Sequence, residues 1–138
     1  MKKWIISTAV TIGILTVGTI PVFAGNNHGD TSYTFNFTPG LTGSYKYTDI
    51  RPKYDYSSAY MMAKTRSKSQ NYSACVVDSN GKYFSQTWYV EITKLNKGYY
   101  IANNAYEDKG KNVKVKIKGT TGDMFGFKVT GVWSPDSV

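Results

Sequence analysis

Apolar and polar side chains alternate with a period of two along several short segments of this chain. The pattern is clearest at Val113, Val115 and Ile117, each of which is followed by a lysine. Successive side chains of a β-strand point to opposite faces, so this spacing is typical of strands with one buried face. No segment shows a convincing helical period over the roughly ten residues that a helix needs. The pattern predicts an all-β fold, an antiparallel β-sandwich of seven or eight short strands, with a small barrel as the alternative.

The candidate strands are separated by turn residues at nearly regular intervals. They are 33–37, 44–48, 58–64, the two runs of 72–92, 99–103, 113–118 and 125–133. The segment 49–55, which contains Arg51 and Pro52, is predicted to be a loop. In the last strand one face is predicted to contain Phe125, Phe127, Val129, Gly131 and Trp133, with Lys128 on the other.

The strongest turn signal is Asn80-Gly81, which lies between the two runs of 72–92. This dipeptide favours a two-residue type I′ turn, because both central residues of that turn need a positive φ angle. Ser79 would then pair with Lys82, and Tyr72 would lie opposite Tyr89. The face predicted to be buried contains Cys75, Val77, Phe84, Trp88, Val90 and Ile92. The face predicted to be largely solvated contains Tyr72, Val76, Tyr83, Ser85, Thr87, Tyr89 and Glu91.

Residues 1–24 have the three parts of a cleavable secretory signal peptide. Lys2 and Lys3 precede an uncharged apolar run, and small residues lead to a cleavage site after Ala24. The alternative is an uncleaved membrane anchor, but the run is rich in threonine and glycine, and no basic stop-transfer residues follow it. We therefore expect a signal peptide at 1–24, a flexible tail at 25–31 and a single β domain at 32–138. The expected location is outside the cell or on the cell wall, with no transmembrane segment after cleavage.

Cys75 is the only cysteine, so the domain cannot contain an internal disulfide. Unpaired cysteine behaves as a small hydrophobic residue, and burial is favoured here over a disulfide between chains. The oligomeric state is left open. The chain after Ala24 keeps 15 of the 17 lysines and arginines and all 9 acidic residues, which gives it a formal charge of +6. A charge of this size biases a small domain toward polyanionic partners.

The residue types argue against an enzyme. His28 is the only histidine and lies in the predicted tail, where it cannot serve as the oriented base of a catalytic triad. The acidic residues are scattered, with Glu107-Asp108 as the only adjacent pair, so neither a metal site nor a cofactor is expected. A hydrolase with paired carboxylates is the remaining enzymatic alternative. We therefore predict no catalytic residues.

Two groups of side chains are candidates for binding at the surface. They are the lysines Lys114, Lys116, Lys118 and Lys128, and the tyrosines Tyr72, Tyr83 and Tyr89. Their alternative roles are a solvated lysine face that protects an edge strand, and ordinary cross-strand tyrosine pairs. As binding residues they would contact cell-wall polymers or an anionic lipid surface. Nucleic acid is not expected, because the residues interleaved with the lysines are aliphatic rather than aromatic.

Two family resemblances accompany these patterns. The signal peptide, the stretch 26–35 and the ending 129–133 resemble an uncharacterised family of small secreted Gram-positive bacterial proteins, which has only a domain-of-unknown-function label. The segments 57–60, 72–77 and 80–81 resemble the lactococcin 972 family of secreted, tyrosine-rich, cationic bacteriocins, although that family's histidine-rich stretch is absent here. The expected function is a secreted, non-enzymatic protein that binds anionic or glycan components of the cell surface. The second resemblance implies the alternative, a bacteriocin that acts on the cell envelope through the wall precursor lipid II.

Overall fold

The structure, a computed structural model, describes residues 27–137. Within that range it contains nine strands and one short helix, arranged as two antiparallel sheets that do not close into a barrel. The predicted β-sandwich is therefore confirmed, and the small barrel was the wrong alternative. The predicted signal peptide lies outside the described residues. In the described part of the chain no helix is long and apolar enough to cross a membrane.

The chain crosses between the two sheets several times. In order they are β1 (Thr31–Phe37), β2 (Ser44–Tyr47), β3 (Arg51–Lys53), β4 (Ala59–Arg66), β5 (Tyr72–Asp78), β6 (Val90–Ile92), β7 (Gly98–Ile101), α1 (Ala105–Lys109), β8 (Val113–Thr121) and β9 (Phe127–Ser134). The first sheet has the strand order β1-β9-β4-β7, and the second has the order β2-β8-β5-β6, with β3 also paired to β8. Strands β8 and β9 therefore lie inside different sheets, and their connection crosses from one layer to the other.

Aromatic side chains from both sheets form the core. On β1, Tyr33, Phe35 and Phe37 are buried, as their alternation predicts. Phe35 meets Tyr72 of the second sheet edge to face, with ring centroids 5.6 Å apart. The predicted inner faces of β8 and β9 are confirmed as well, because Val115, Ile117, Phe127, Val129 and Trp133 are all buried.

Phe125 was predicted to share the buried face of β9 but is 74% exposed. The cause is Gly126, whose φ of +76° interrupts the extended backbone before β9 begins at Phe127. A Cβ atom at Gly126 would lie 2.2 Å from the carbonyl oxygen of Phe37, so this turn requires glycine. The spacing of two between Phe125 and Phe127 therefore does not indicate a continuous strand.

Two short elements were not predicted. β3 occupies part of the predicted loop. It tolerates Pro52, which has no amide hydrogen to donate, because this strand pairs on one side only, with β8. α1 is a helix of 5 residues, which is too short to show a helical period in the sequence.

The hairpin after β5 differs from the predicted two-residue turn. The amide of Asp78 donates to the carbonyl of Lys82 at 2.9 Å, so three residues form the loop, with Gly81 at a φ of +83°. The Asp78 carboxylate accepts hydrogen bonds from the amides of Asn80 and Lys82, which stabilises this longer loop. The predicted register is therefore wrong, and Tyr72 pairs with Ile92 of β6 rather than facing Tyr89.

This shift also corrects the predicted faces of the hairpin. Tyr72 is 2% exposed, and its hydroxyl forms a buried hydrogen bond with that of Tyr33. Trp88, predicted to be buried, is 37% exposed, because residues 83–89 do not continue as a strand of the sheet. Trp133, by contrast, is fully buried, as predicted.

Cys75 is fully buried, which confirms its predicted burial, but it lies opposite Lys118 on the outer side of the sheet rather than in the core. Burial raises the pKa of its thiol.

We expect a bulky disulfide reagent to react with Cys75 in the folded protein more than about tenfold slower than with free cysteine, because a buried thiol forms little accessible thiolate. The rate of absorbance change measures this, with the urea-unfolded protein as control. Reaction of the folded protein at the rate of free cysteine would contradict the structure.

The described chain begins with contacts to β3 and to the C-terminal segment. The side chain of Asn27 accepts a hydrogen bond from Arg51 at 2.7 Å and donates to the carbonyl of Pro52 at 2.9 Å. β1 begins at Thr31, one residue before the predicted start of the domain. The remaining boundaries of the predicted signal peptide and tail stay predictions.

Candidate functional site

The outer face of the second sheet brings together tyrosines and lysines from three parts of the chain. On β8, Lys114, Lys116 and Lys118 point outward because Val115 and Ile117 point into the core. On β2, Tyr45 pairs with Thr120 and Tyr47 pairs with Lys118, which places both rings on the same outer face. We call this surface the tyrosine–lysine face; it consists of Tyr45, Tyr47, Tyr83, Tyr89, Lys114, Lys116 and Lys118.

Two of the lysines rest against tyrosine rings. The Nζ atom of Lys116 lies 4.0 Å from the ring centroid of Tyr47. The Nζ atom of Lys118 lies 4.8 Å from the ring centroid of Tyr45 and 5.2 Å from that of Tyr83. Cation–π contacts of this kind contribute about 0.5–1 kcal/mol each at exposed sites. They restrict the motion of the ammonium groups while Tyr45 and Tyr83 stay about half exposed.

A hydrogen bond extends this contact to a tyrosine hydroxyl group. Lys118 donates to the Tyr83 hydroxyl at 3.0 Å, and this bond lowers the pKa of Tyr83 and raises that of Lys118. The neighbouring Tyr83 hydroxyl raises the pKa of Tyr89.

An open groove with a volume of about 350 Å³ adjoins this face at Tyr45. Its lining residues are Thr38, Thr42, Gly43, Ser44, Tyr45 and Thr120, most of which carry a hydroxyl group. Gly43 has a φ of +84°, and a Cβ atom there would lie 1.9 Å from the carbonyl oxygen of Thr121. The loop between β1 and β2 can therefore approach β8 closely only with glycine at this position.

The predicted binding residues divide into those that the fold brings together and those that it separates. Lys118 and Tyr83 are in contact, and Lys114, Lys116 and Tyr89 lie on the same face. Lys128 is exposed on β9, which belongs to the other sheet, and Tyr72 is buried in the core. The prediction that Tyr72 is a surface residue is therefore wrong.

Tyr45 and Tyr47 are the members of the face that sequence reasoning missed as binding residues. Their alternation predicts a strand, but only the pairing of β2 with β8 places them beside the lysines. That pairing also places β8 between β2 and β5, so β8 is not an edge strand. The alternative role of the lysines, protection of an edge strand, is therefore wrong.

Glu91 lies on β6, opposite Ser73, whose hydroxyl donates to its carboxylate at 2.9 Å. Within residues 27–137, no group of three or more histidine, cysteine, aspartate or glutamate side chains could hold a metal ion. The prediction that the protein is not an enzyme stays a prediction.

Comparison with known proteins gives one match. A family model described as "Protein of unknown function (DUF2712)" matches residues 20–137. No curated protein and no solved structure matches the chain. The comparisons lend no support to the resemblance to the lactococcin 972 family.

Proposed function

The chain belongs to the DUF2712 family of unknown function, and from this premise we propose that it is an exported, non-enzymatic binding protein. Its ligand is an anionic glycan polymer of the Gram-positive cell surface, and its binding site is the tyrosine–lysine face. A polymer of this class carries phosphate or carboxylate groups together with sugar or polyol units. The export part of the proposal rests on the signal-like residues 1–24.

The observation that carries the proposal is the position of Lys118 between two half-exposed tyrosine rings. An anionic group of the polymer would contact Lys116 and Lys118, whose ammonium groups are already held by the rings. Apolar C–H surfaces of the sugar or polyol units would pack on Tyr45 and Tyr83, as amphipathic rings allow. Groups that are held in place before binding lose less entropy on binding, which favours affinity.

The groove beside Tyr45 favours a hydroxyl-rich polymer over a simple anionic surface. Threonine and serine hydroxyls both donate and accept hydrogen bonds, which matches the hydroxyl groups of sugars. Thr42 and Thr120 line this groove at the edge of the tyrosine–lysine face. A polymer could therefore contact the lysines and the groove at the same time.

The test is sedimentation of the mature protein with purified Gram-positive cell walls. We expect Lys116→Glu combined with Lys118→Glu to weaken binding by about tenfold or more, because each cation near an anionic surface contributes on the order of 1 kcal/mol. Binding should also weaken at high salt, which screens exposed charges. The matched control is Lys94→Glu combined with Lys128→Glu, which changes the net charge equally at two exposed positions outside the tyrosine–lysine face.

Two further arms separate the possible ligand classes. Tyr45→Ala should weaken wall binding without changing the net charge, as expected if the ring contacts the polymer. Vesicles containing phosphatidylglycerol should bind less well than walls. Equal losses in the lysine variant and its control, or stronger binding to vesicles than to walls, would count against the proposal.

A further inference from the structure

A lysine and an aspartate meet in the interior, away from the tyrosine–lysine face. Lys53 ends β3, Asp136 follows β9, and both side chains are 0% exposed. The Lys53 Nζ atom lies 2.9 Å from Asp136 Oδ1. It also contacts the carbonyl oxygens of Pro135, at 2.8 Å, and Ser57. The pair joins two segments that are 83 residues apart in the chain.

We propose that Lys53 and Asp136 condense to form an intramolecular amide bond, with the release of one water molecule. The product is an isopeptide cross-link between the side chains of β3 and the C-terminal segment. The proposal is independent of the proposed binding function. It rests on the arrangement of three groups at this site: the nucleophile and the carboxyl oxygen, which belong to the pair, and a proton carrier beside it.

The nucleophile is the amine of Lys53. As an ammonium ion it has three protons, directed at Pro135, Ser57 and Asp136. In the first step of the proposed reaction the third proton passes to Asp136 Oδ1, which leaves a neutral amine and a neutral acid in a site where separated charges are disfavoured. The amine then keeps its hydrogen bonds to the two carbonyl oxygens. Its lone pair faces the carboxyl group of Asp136.

The other carboxyl oxygen is held by two backbone amides. Asp136 Oδ2 accepts hydrogen bonds from the amide of Asn27 at 2.6 Å and from that of Tyr54 at 3.0 Å. Attack by the amine moves an electron pair onto this oxygen. Two fixed N–H donors stabilise such a developing negative charge, as in the oxyanion sites of acyl-transfer enzymes.

Asp55 supplies the proton carrier. Its carboxylate accepts hydrogen bonds from the amide and the hydroxyl of Ser57, whose carbonyl contacts Lys53. Burial raises the pKa of Asp55, and the nearby Asp136 raises it further. A raised pKa favours the protonated carboxyl group, which is the form that acts as a general acid.

The atoms of the reaction balance. A C–N bond forms between Lys53 Nζ and Asp136 Cγ, and the C–Oδ1 bond breaks. Asp55 gives its proton to the hydroxyl at Oδ1, which leaves as water, and takes a proton from the nitrogen. The electron pair on Oδ2 returns to the carbon to form the amide carbonyl, and Asp55 ends in its starting state.

The cross-link would close a covalent ring over most of the domain. The two connected residues are 83 positions apart in the chain, and the only cysteine cannot form an internal bridge. Such a ring restricts the unfolded chain in the same way as a disulfide that closes a long loop. Unlike a disulfide, it resists reducing agents.

The experiment is intact-mass measurement of the purified, folded protein after its N-terminal residue has been determined. The wild type should be lighter than its calculated mass by one water molecule. After tryptic digestion, residues 47–64 and 129–138 should appear as one covalent species, because Lys53 would no longer be a cleavage site. Lys53→Met and Asp136→Ala should each have the calculated mass.

Asp55→Ala tests the proton carrier separately. The cross-link should form at least about tenfold more slowly in this variant, because the general acid is missing. The fall in mass with time measures the rate. The overturning result is a folded wild type at its calculated mass, whose tryptic digest contains 47–53 and 54–64 as free peptides. Lys53 and Asp136 would then be an ion pair only. Because this outcome concerns the wild type, it holds even if a variant does not fold.

Discussion

Asp136→Ala is expected to lower the free energy of unfolding by at least about 3–5 kcal/mol, the usual cost of removing one partner of a buried ion pair, and loss of the proposed cross-link would add to this cost. The substitution leaves the charge of Lys53 without a partner in a site with 0% exposure. It also leaves the amides of Asn27 and Tyr54 without their acceptor. A buried polar group without a partner retains the full cost of its lost hydration.

Urea unfolding followed by tryptophan fluorescence measures this effect, since Trp133 is buried and precedes Asp136 by three residues. Glu107→Ala, on the exposed side of α1, is the matched acidic control and should change the stability by less than about 0.5 kcal/mol. A loss below about 1 kcal/mol for Asp136→Ala would contradict both the burial of this pair and the proposed cross-link.

Phe35→Ala is expected to cost about 3–5 kcal/mol, the range for truncation of a buried aromatic side chain. Phe35 is fully buried, and its ring contacts the rings of Tyr33, Phe37 and Tyr72. Because Tyr72 belongs to the opposite sheet, truncation leaves a cavity between the two layers. Thermal or urea unfolding gives the loss directly.

A second substitution tests whether the cavity forms where the structure places it. A Cβ atom at Gly119 would lie 2.4 Å from the Phe35 ring, so Gly119→Ala alone should destabilise by about 1–3 kcal/mol through overpacking. With Phe35→Ala present, the added methyl group enters the vacated space and this penalty should disappear. A double-mutant cycle measures the coupling. Additive losses would contradict the contact between β1 and β8.

Burial of the regular strands could be predicted because it follows a local rule. Tyr33, Phe35 and Phe37 are spaced two apart, and that spacing places all three on one face whatever the strand pairs with. The same holds for Val115 and Ile117 on β8. The rule failed at Phe125, where the positive φ of Gly126 breaks the extended backbone.

The hairpin shows how a short-range signal can set the wrong register. Asn80-Gly81 favours a two-residue turn, but the Asp78 carboxylate binds two amides of a three-residue loop. In a sheet a slip of one residue moves every side chain to the opposite face. Tyr72 was therefore assigned to the surface, although it lies in the core.

Lys53 could not have been assigned to the interior from its residue type. Lysine is almost never fully buried unless it is paired. The partner, Asp136, is distant in the chain, and nothing in either segment indicates the other. The tyrosine–lysine face could not be predicted for the same reason, since β2 and β8 are separated by more than half of the described chain.

By itself, the sequence determined the all-β class, the inner faces of β1, β8 and most of β9, and the outward direction of Lys114, Lys116 and Lys118. These properties depend on alternation and turn residues, which act over a few positions. Only the tertiary structure decided that Tyr45 and Tyr47 flank those lysines, and that Lys53 meets Asp136. Such contacts depend on the order of strands in the sheets, which long-range pairing and core packing select and no local pattern specifies.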